Sequence, residues 1–366
     1  RFNMGITLLN RLTPNEVDDK LFDIVDLINS RKVNKGIQFA QLNLRAAEKA
    51  RTMSAFQSAS TYAVHGISFL PSNHWNTHRP LSLRLYGIAN EMELALGRVE
   101  SSEHYGNEVL AQENLSTMES LPFRLTNIRK LCHAQLNFEE GITDCLSLLH
   151  DLGYKLLWSR KTVPIQAVRT LLRSVKELKQ APDDLLENVL EIKDSKELYI
   201  SLLVSEIKAV AYNTKNVFLS ILCMSQLAEM TLKRGVTQFS ASAISGLAIA
   251  IRLVREDYKT CDEFGEIALA LERRLNGNRV AETIYQVYAF GFSWTRPLNE
   301  CLDPAMEGVS FLHPVSVDIF LLTLVDVCSH IFFLSTHLGC KKEIPHLQIG
   351  ISCFTLPFCL TQWGKL

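Results

Sequence analysis

The sequence predicts an all-α protein whose helices pair into hairpins and whose hairpins stack into an α-α superhelix. Three observations carry this. Apolar residues recur at helical spacing through most of the chain. No Val/Ile/Thr run is bounded by turn signals on both sides, so no sheet is expected. A two-helix unit recurs, with Phe56, Val99 and Phe138 each opening a second helix, 43 and 39 residues apart. Three residues beyond each opener stands a small residue, Ala59, Ser102 or Gly141, as a close helix crossing requires.

Taken in order, Thr13-Pro14-Asn15-Glu16 marks a helix start. Thr caps, Pro sits at the first helical position, and Glu follows three residues after the Thr. One helix is expected from there through Asn29, burying Leu21, Ile24, Val25 and Ile28, with Ser30 to Gly36 as a polar link. The chain is organised around Ala40 to Asn73, read as a hairpin. Its first helix carries Ala40, Leu44, Ala47 and Arg51 on one stripe. Its second carries Phe56, Ala59, Ala63, Gly66, Ile67 and Leu70, and stops at Pro71-Ser72-Asn73. Ala59 is expected at the crossing and Ala63 on the flanking turn.

Leu81 to Gly97 and Leu121 to Leu136 are the first helices of the next two units. Trp158 to Pro164 reads as a link with a proline stop. Helices are then expected at Ala167 to Gln180, Lys196 to Tyr212, Val217 to Arg234, Ala241 to Val254 and Glu263 to Leu275. Another short one starts at Pro182-Asp183-Asp184. Gly235 closes the second of the longer apolar helices. The third of them, with ASAISGLAIAI, has no polar face beyond its serines and should be buried on most sides.

From Val309 onward the composition breaks, with no Ala, no Arg and six charges in 58 residues against 71 in the preceding 308. Ile319 to Leu334 is apolar for 16 residues, short of the ~20 of a membrane span and interrupted by Asp326. We read 309–366 as a divergent apolar tail, prone to aggregate where nothing covers it, and expect no membrane anchor.

A hydrophobic fraction of 47% with 21% charged residues is that of a folded chain. A net charge of −1 offers no reason to expect nucleic acid as a partner. Nine cysteines with no Cys-x-x-Cys pair, and no N-terminal signal segment, point to reduced thiols and a cytoplasmic, intracellular protein. The chain opens at Arg1 and is read as a piece of something longer.

Phe56, Ala59, Ala63, Gly66, Ile67, Phe69 and Pro71, in that order, resemble the second half of a tetratricopeptide repeat. Four segments carry a wider resemblance: LFDIVDLIN, FAQLNLRAAEKARTMSAFQSASTYAVHGISFLPSNHW, ELALGRVESSEHYGNEVL and SWTRPLNECLDPAMEG. Together they resemble the helical-repeat region downstream of an AAA/STAND-type ATPase in multidomain serine/threonine or histidine kinases, over about Ile6 to Gly308. The resemblance implies a division into a linker from that ATPase (1–35), tetratricopeptide-like hairpins (36–156), further helical repeats (157–308) and the tail. It implies a non-catalytic regulatory segment in signal transduction, whose partner is another protein or the attached ATPase and kinase domains. Parent activity, ATP binding or phosphorylation, and a free-standing scaffold are the alternatives.

The chain itself contains no Gly-x-x-x-x-Gly-Lys-Ser/Thr loop, no His-Arg-Asp and no Asp-Phe-Gly, so no catalytic residue and no cofactor is assigned. His330, His337, Cys340, His346, Cys353 and Cys359 match no zinc spacing. Cys132, Cys145, Cys223 and Cys261 sit on apolar faces and read as packing residues. Glu139-Glu140 and Asp183-Asp184 are adjacent pairs at helix starts, which do not face one another. Trp75, Tyr86, Trp158 and Trp294 are read as core staples at unit ends.

The remaining candidate is a groove. If, as in tetratricopeptide stacks, the first helix of each hairpin lines the concave face, that face receives Gln41, Arg45, Glu48 and Arg51 from the first unit. Arg84 comes from the second, and Asn127 and Lys130 from the third. Such a cluster of cations would hold an acidic segment or a terminal carboxylate. The residues do not match repeats that clamp a peptide C-terminus, and a solvated charged face is the preferred reading.

Overall fold

A threonine, a proline and a glutamate set the first internal boundary. In the computed structural model, which describes residues 1–30, 36–156, 159, 161–181, 190–275 and 280–310, Thr13 and Glu16 form a reciprocal capping box at the start of α2 (Pro14–Asp19). Before it lies α1 (Phe2–Arg11). The expected single helix to Asn29 is in fact two, because Lys20 leaves helical geometry at φ −103°, ψ 20°. The bend turns Val17 of α2 and the whole stripe Leu21, Ile24, Val25 and Ile28 of α3 (Leu21–Asn29) into the same core.

The organising hairpin is α4 (Ile37–Thr52) and α5 (Phe56–Phe69). After a short turn, α6 (His74–Thr77), the second pair is α7 (Arg79–Ala95) and α8 (Val99–Leu110). The third is α9 (Thr117–Arg129), continued by a π turn over Lys130–Ala134, and α10 (Phe138–Asp151). Phe56, Val99 and Phe138 therefore each begin a helix. Then come α11 (Val163–Gln180), α12 (Ser195–Asn213), α13 (Val217–Arg234), α14 (Ser240–Arg255) and α15 (Tyr258–Leu275). Last are α16 (Val280–Tyr285), running into a second π turn at Gln286–Gly291 and a 3-10 turn at Phe292–Trp294, and α17 (Leu298–Ser310). Among the described residues there is no strand, only one isolated parallel bridge between Glu191 and Val236. The class is all-α.

One turn geometry joins five of these pairs. Ser54, Gly97, Leu136, Lys215 and Glu256 all have φ between 54° and 74°, and each stands two residues before the next helix. In the first, second and fourth turns the following N–H returns five residues to the preceding helix: Ala55 to Ala50, Arg98 to Glu93 and Asn216 to Ala211. This is the left-handed closure that satisfies orphan carbonyls at a helix end. Asn137, Asn216 and Asp257 then cap the second helix through their side chains. A left-handed residue other than glycine costs roughly 1–2 kcal/mol. Four of the five positions carry that cost, so the turn is held by its hydrogen bonds rather than chosen by glycine. The openers Val217 and Tyr258 extend the spacing: 79 residues from Phe138 to Val217, then 41 to Tyr258.

Stacking follows chain order through α3, α4, α5, α7, α8, α9 and α10. Beyond that, α10 packs on α12, while α11 lies against α13 and α14. Pro164 is the second residue of α11, not a stop, because a missing N–H is free of cost in a first helical turn. Likewise α15 starts at Tyr258, five residues ahead of expectation, on the Asp257 cap. α14 is buried from Ser240 to Ala248, as its lack of a polar face requires. Ala59, Ser102 and Gly141 are all buried at crossings, but so is Ala63, at 0% exposure like Ala59. The distinction expected between the two alanines is absent because both turns of α5 face the neighbouring helices. Gly235 (φ 129°) ends α13 where a Cβ would meet the Leu190 carbonyl. Of the tail only Val309 and Ser310, the end of α17, are described; its apolar segment and its His/Cys set lie outside the described residues, as do Trp158 and the helix start at Pro182.

Candidate functional site

Charged side chains link each first helix to the next. Arg45 of α4 pairs with Asp18 of α2. Between α4 and α7, Arg84 Nε donates to Glu48 at 3.1 Å and Arg51 Nη1 to Glu91, also at 3.1 Å. Between α7 and α9, Arg79 Nε donates to Glu119 at 2.8 Å, and the Ser116 N–H and hydroxyl complete that carboxylate. These contacts hold the Glu119 carboxyl down to about 2, Arg79 first and the Ser116 backbone next. Between α9 and α12, Arg129 Nη2 donates to Glu206 at 2.8 Å, and the nearly buried carboxylate raises the guanidinium.

The groove residues read from sequence fall on this ladder in different ways. Arg45, Arg51, Glu48 and Arg84 belong to it. Gln41 is exposed and Asn127 half-buried, and neither joins a described pair. Lys130 turns away to Glu103 of α8 at 2.7 Å. On α9 it is Arg129 that faces across, near Glu91 as well as Glu206. Neighbouring residues of a helix do not share a face, so Lys130 and Arg129 point to different partners. The four cations named from sequence each have an internal carboxylate at hydrogen-bonding distance. An acidic ligand would have to displace a partner to reach any of them. Exposed pairs of this kind contribute ~0–1 kcal/mol each, so the ladder sets register between helices more than it adds stability.

Further along the same face lies a buried polar network. Lys208 Nζ of α12 donates to Glu282 Oε1 of α16 at 2.6 Å and to Ser242 Oγ of α14 at 2.9 Å. Ser242 Oγ and Gln286 Nε2 donate to the same Glu282 oxygen, and Ser245 Oγ donates to Gln286 Oε1 at 2.5 Å. The serines of the otherwise apolar α14 are the inner side of this network. Their regular spacing, Ser242 and Ser245, was the signal in the sequence, and without its partners on α16 it had no meaning.

Among the described residues, no cysteine thiol is activated. Burial pushes the Cys132 and Cys261 thiols up to about 11 and Cys223 to about 12, and raises Cys145 well above its ordinary value. Protonated thiols are weak nucleophiles. Glu139 and Glu140 sit in the first turn of α10, Glu140 on the Asn137 cap. Among the described residues no cluster of His, Cys, Asp or Glu could hold a metal ion. No helix among them is long and apolar enough to cross a membrane.

The aromatic staples divide. Tyr86 is buried, 5.1 Å from Trp75 between ring centroids, and donates to Glu108 at 2.5 Å. Trp294 is not a core residue: it is 60% exposed, with the Arg252 guanidinium 4.6 Å from its ring centroid. The neighbouring Arg296 does the anchoring instead, holding Asp262 and Glu266 of α15 at 2.9 and 2.8 Å over the Phe292 ring. No family model and no curated protein matches the chain.

Proposed function

We propose that this chain is a non-catalytic regulatory and protein-interaction segment, a tetratricopeptide-like α-α superhelix belonging to a signalling ATPase or kinase-like protein. The observation that supports it best is the repeated hairpin: five pairs closed by the same left-handed turn, at spacings near forty residues or twice that. Units of this kind bury their faces on their neighbours and leave an extended surface for a partner. The partner is another protein or the ATPase and kinase modules of the same polypeptide, inside the cell. Its first-helix charges are committed to one another and its described thiols are buried, which suits a segment that binds and transmits rather than one that does chemistry. The four sequence segments that resemble the region downstream of an AAA/STAND-type ATPase supply the family part of the reading.

The coding sequence upstream of Arg1 tests it. A strand followed by a Gly-x-x-x-x-Gly-Lys-Ser/Thr loop there supports the attachment to an ATPase. Further helical pairs with no phosphate loop would instead leave a free-standing scaffold.

A further inference from the structure

The cations named so far from the ladder and the polar network are matched by carboxylates, and Arg252 is not. Arg252, in the last turn of α14, is 9% exposed, and its buried Nε has no acceptor. Its side chain forms neither a hydrogen bond nor an ion pair with any described residue; it lies against the Trp294 ring and near the buried Cys261 thiol. Of the acids nearby in the chain, Glu256 is exposed and makes no described pair with Arg252, and the others are taken. Asp262 accepts from Thr295 and Arg296, Glu266 from Arg296, and Asp257 from Thr260 with Lys179 at 3.6 Å. By contrast Arg129, Lys208 and Arg296, on the same run of helices, each have their carboxylate.

A guanidinium largely buried without a counter-ion is costly, and here the two Nη groups, unlike Nε, still reach the surface. The second π turn and the 3-10 turn after it bring Trp294 over α14. A guanidinium resting on an indole still has N–H groups at its edge, in the planar fork that fits a carboxylate through two parallel hydrogen bonds. The exposed indole offers apolar cover for the methylenes that carry the acid.

We propose that Arg252 and Trp294 form a recognition site for a carboxylate on a peptide partner. One guanidinium matches one carboxylate, whereas a phosphate dianion would be left half compensated. The assignment rests on the reading of the chain as an interaction segment and supplies the chemistry of its partner.

The test titrates the full chain with acetyl-Leu-Glu-Glu-Leu-amide, following the Arg252 Nε–H and Trp294 indole N–H resonances. Both should move along one saturable curve. The Gln-for-Glu peptide should bind at least about tenfold more weakly, a loss of ~1.4 kcal/mol. Acetyl-Leu-Leu with a free terminus, against its amide, separates a chain-end carboxylate from a side-chain one. Arg252→Met should abolish binding while leaving the thermal midpoint unchanged or higher, since it removes an unmatched buried charge. A purely structural arginine would lower the midpoint. Should Arg252→Met fail to fold, Trp294→Ala, at an exposed position, carries the same test and should weaken binding. Equal binding of the Glu and Gln peptides, or undiminished binding by these variants, overturns the site. Arg252-dependent binding of inorganic phosphate that the Glu peptide does not displace overturns the carboxylate assignment. None of these results depends on nucleotide, so failure here and failure of the interaction reading are separate.

Discussion

Gly141 and Cys132 meet where α10 crosses the end of α9, and adding one methyl there tests the crossing directly. A Cβ on Gly141 would lie against Cys132 Sγ, well inside van der Waals contact, while the next atoms, Cys132 Cβ and the Ile128 carbonyl, are 3.9 Å away. Cys132 is 2% exposed, so its sulfur has no open space to swing into. Overpacking of this kind costs ~1–3 kcal/mol. The same substitution relieves a glycine inside a helix, worth up to about 1 kcal/mol. Gly141→Ala alone should therefore cost about 0–2 kcal/mol. In a Cys132→Ala background the obstructing sulfur is gone and the nearest atom is at ordinary contact distance. There Gly141→Ala should stabilise by up to about 1 kcal/mol. Urea unfolding of the four proteins gives the coupling, expected at ~1–3 kcal/mol in favour of the double variant. Additivity within ~0.5 kcal/mol would mean the helices do not cross at this residue, and the small-residue repeat Ala59, Ser102, Gly141 would lose its explanation.

Thr13→Ala removes the cap of α2 and should lower amide-exchange protection within that helix about fivefold, the equivalent of ~1 kcal/mol; unchanged protection would show the capping box to be idle. The Glu119 carboxyl, held at about 2 against an ordinary 4.5, contributes stability that is full above 4.5 and lost as pH falls toward 2. NMR titration should find that low midpoint, and Arg79→Met should move it back up. Lys208→Met breaks a pair whose lysine side chain is 8% exposed and should cost about 3 kcal/mol, whereas Lys208→Met with Glu282→Gln should recover much of that. Denaturant midpoints measure both, and a double variant worse than the single would contradict the pairing.

What could be read without coordinates was local. Thr13 and Glu16 carry a capping signature in four residues, and Phe56, Val99 and Phe138 carry a spacing, so boundaries that rest on chain-local chemistry were visible. The left-handed turns were not, because only Gly97 of the five advertises the conformation. Ser54, Leu136, Lys215 and Glu256 are placed there by hydrogen bonds made after the helices form. The displacement of α11 onto α13 and α14 is likewise a matter of packing between distant segments, which periodicity does not encode.

The groove shows the same division. The tetratricopeptide geometry put Arg45, Arg51 and Arg84 on one face, but their carboxylates Asp18, Glu91 and Glu48 all come from other helices. A list of cations therefore looked like a binding cluster. Trp294 was legible as an aromatic at a unit end and illegible as an exposed one, since the 3-10 turn that carries it has no sequence signature. Arg252 sits in an apolar helix one turn from the hairpin tip, and only its missing counter-ion distinguishes it.

The central claim, that this chain binds and transmits without chemistry of its own, is tested most directly by calorimetric titration of the full chain with magnesium ATP. Phosphate binding needs backbone N–H groups presented by a glycine-rich loop or a helix start built for it, and the account predicts no saturable heat. Saturable binding in the micromolar range would contradict it.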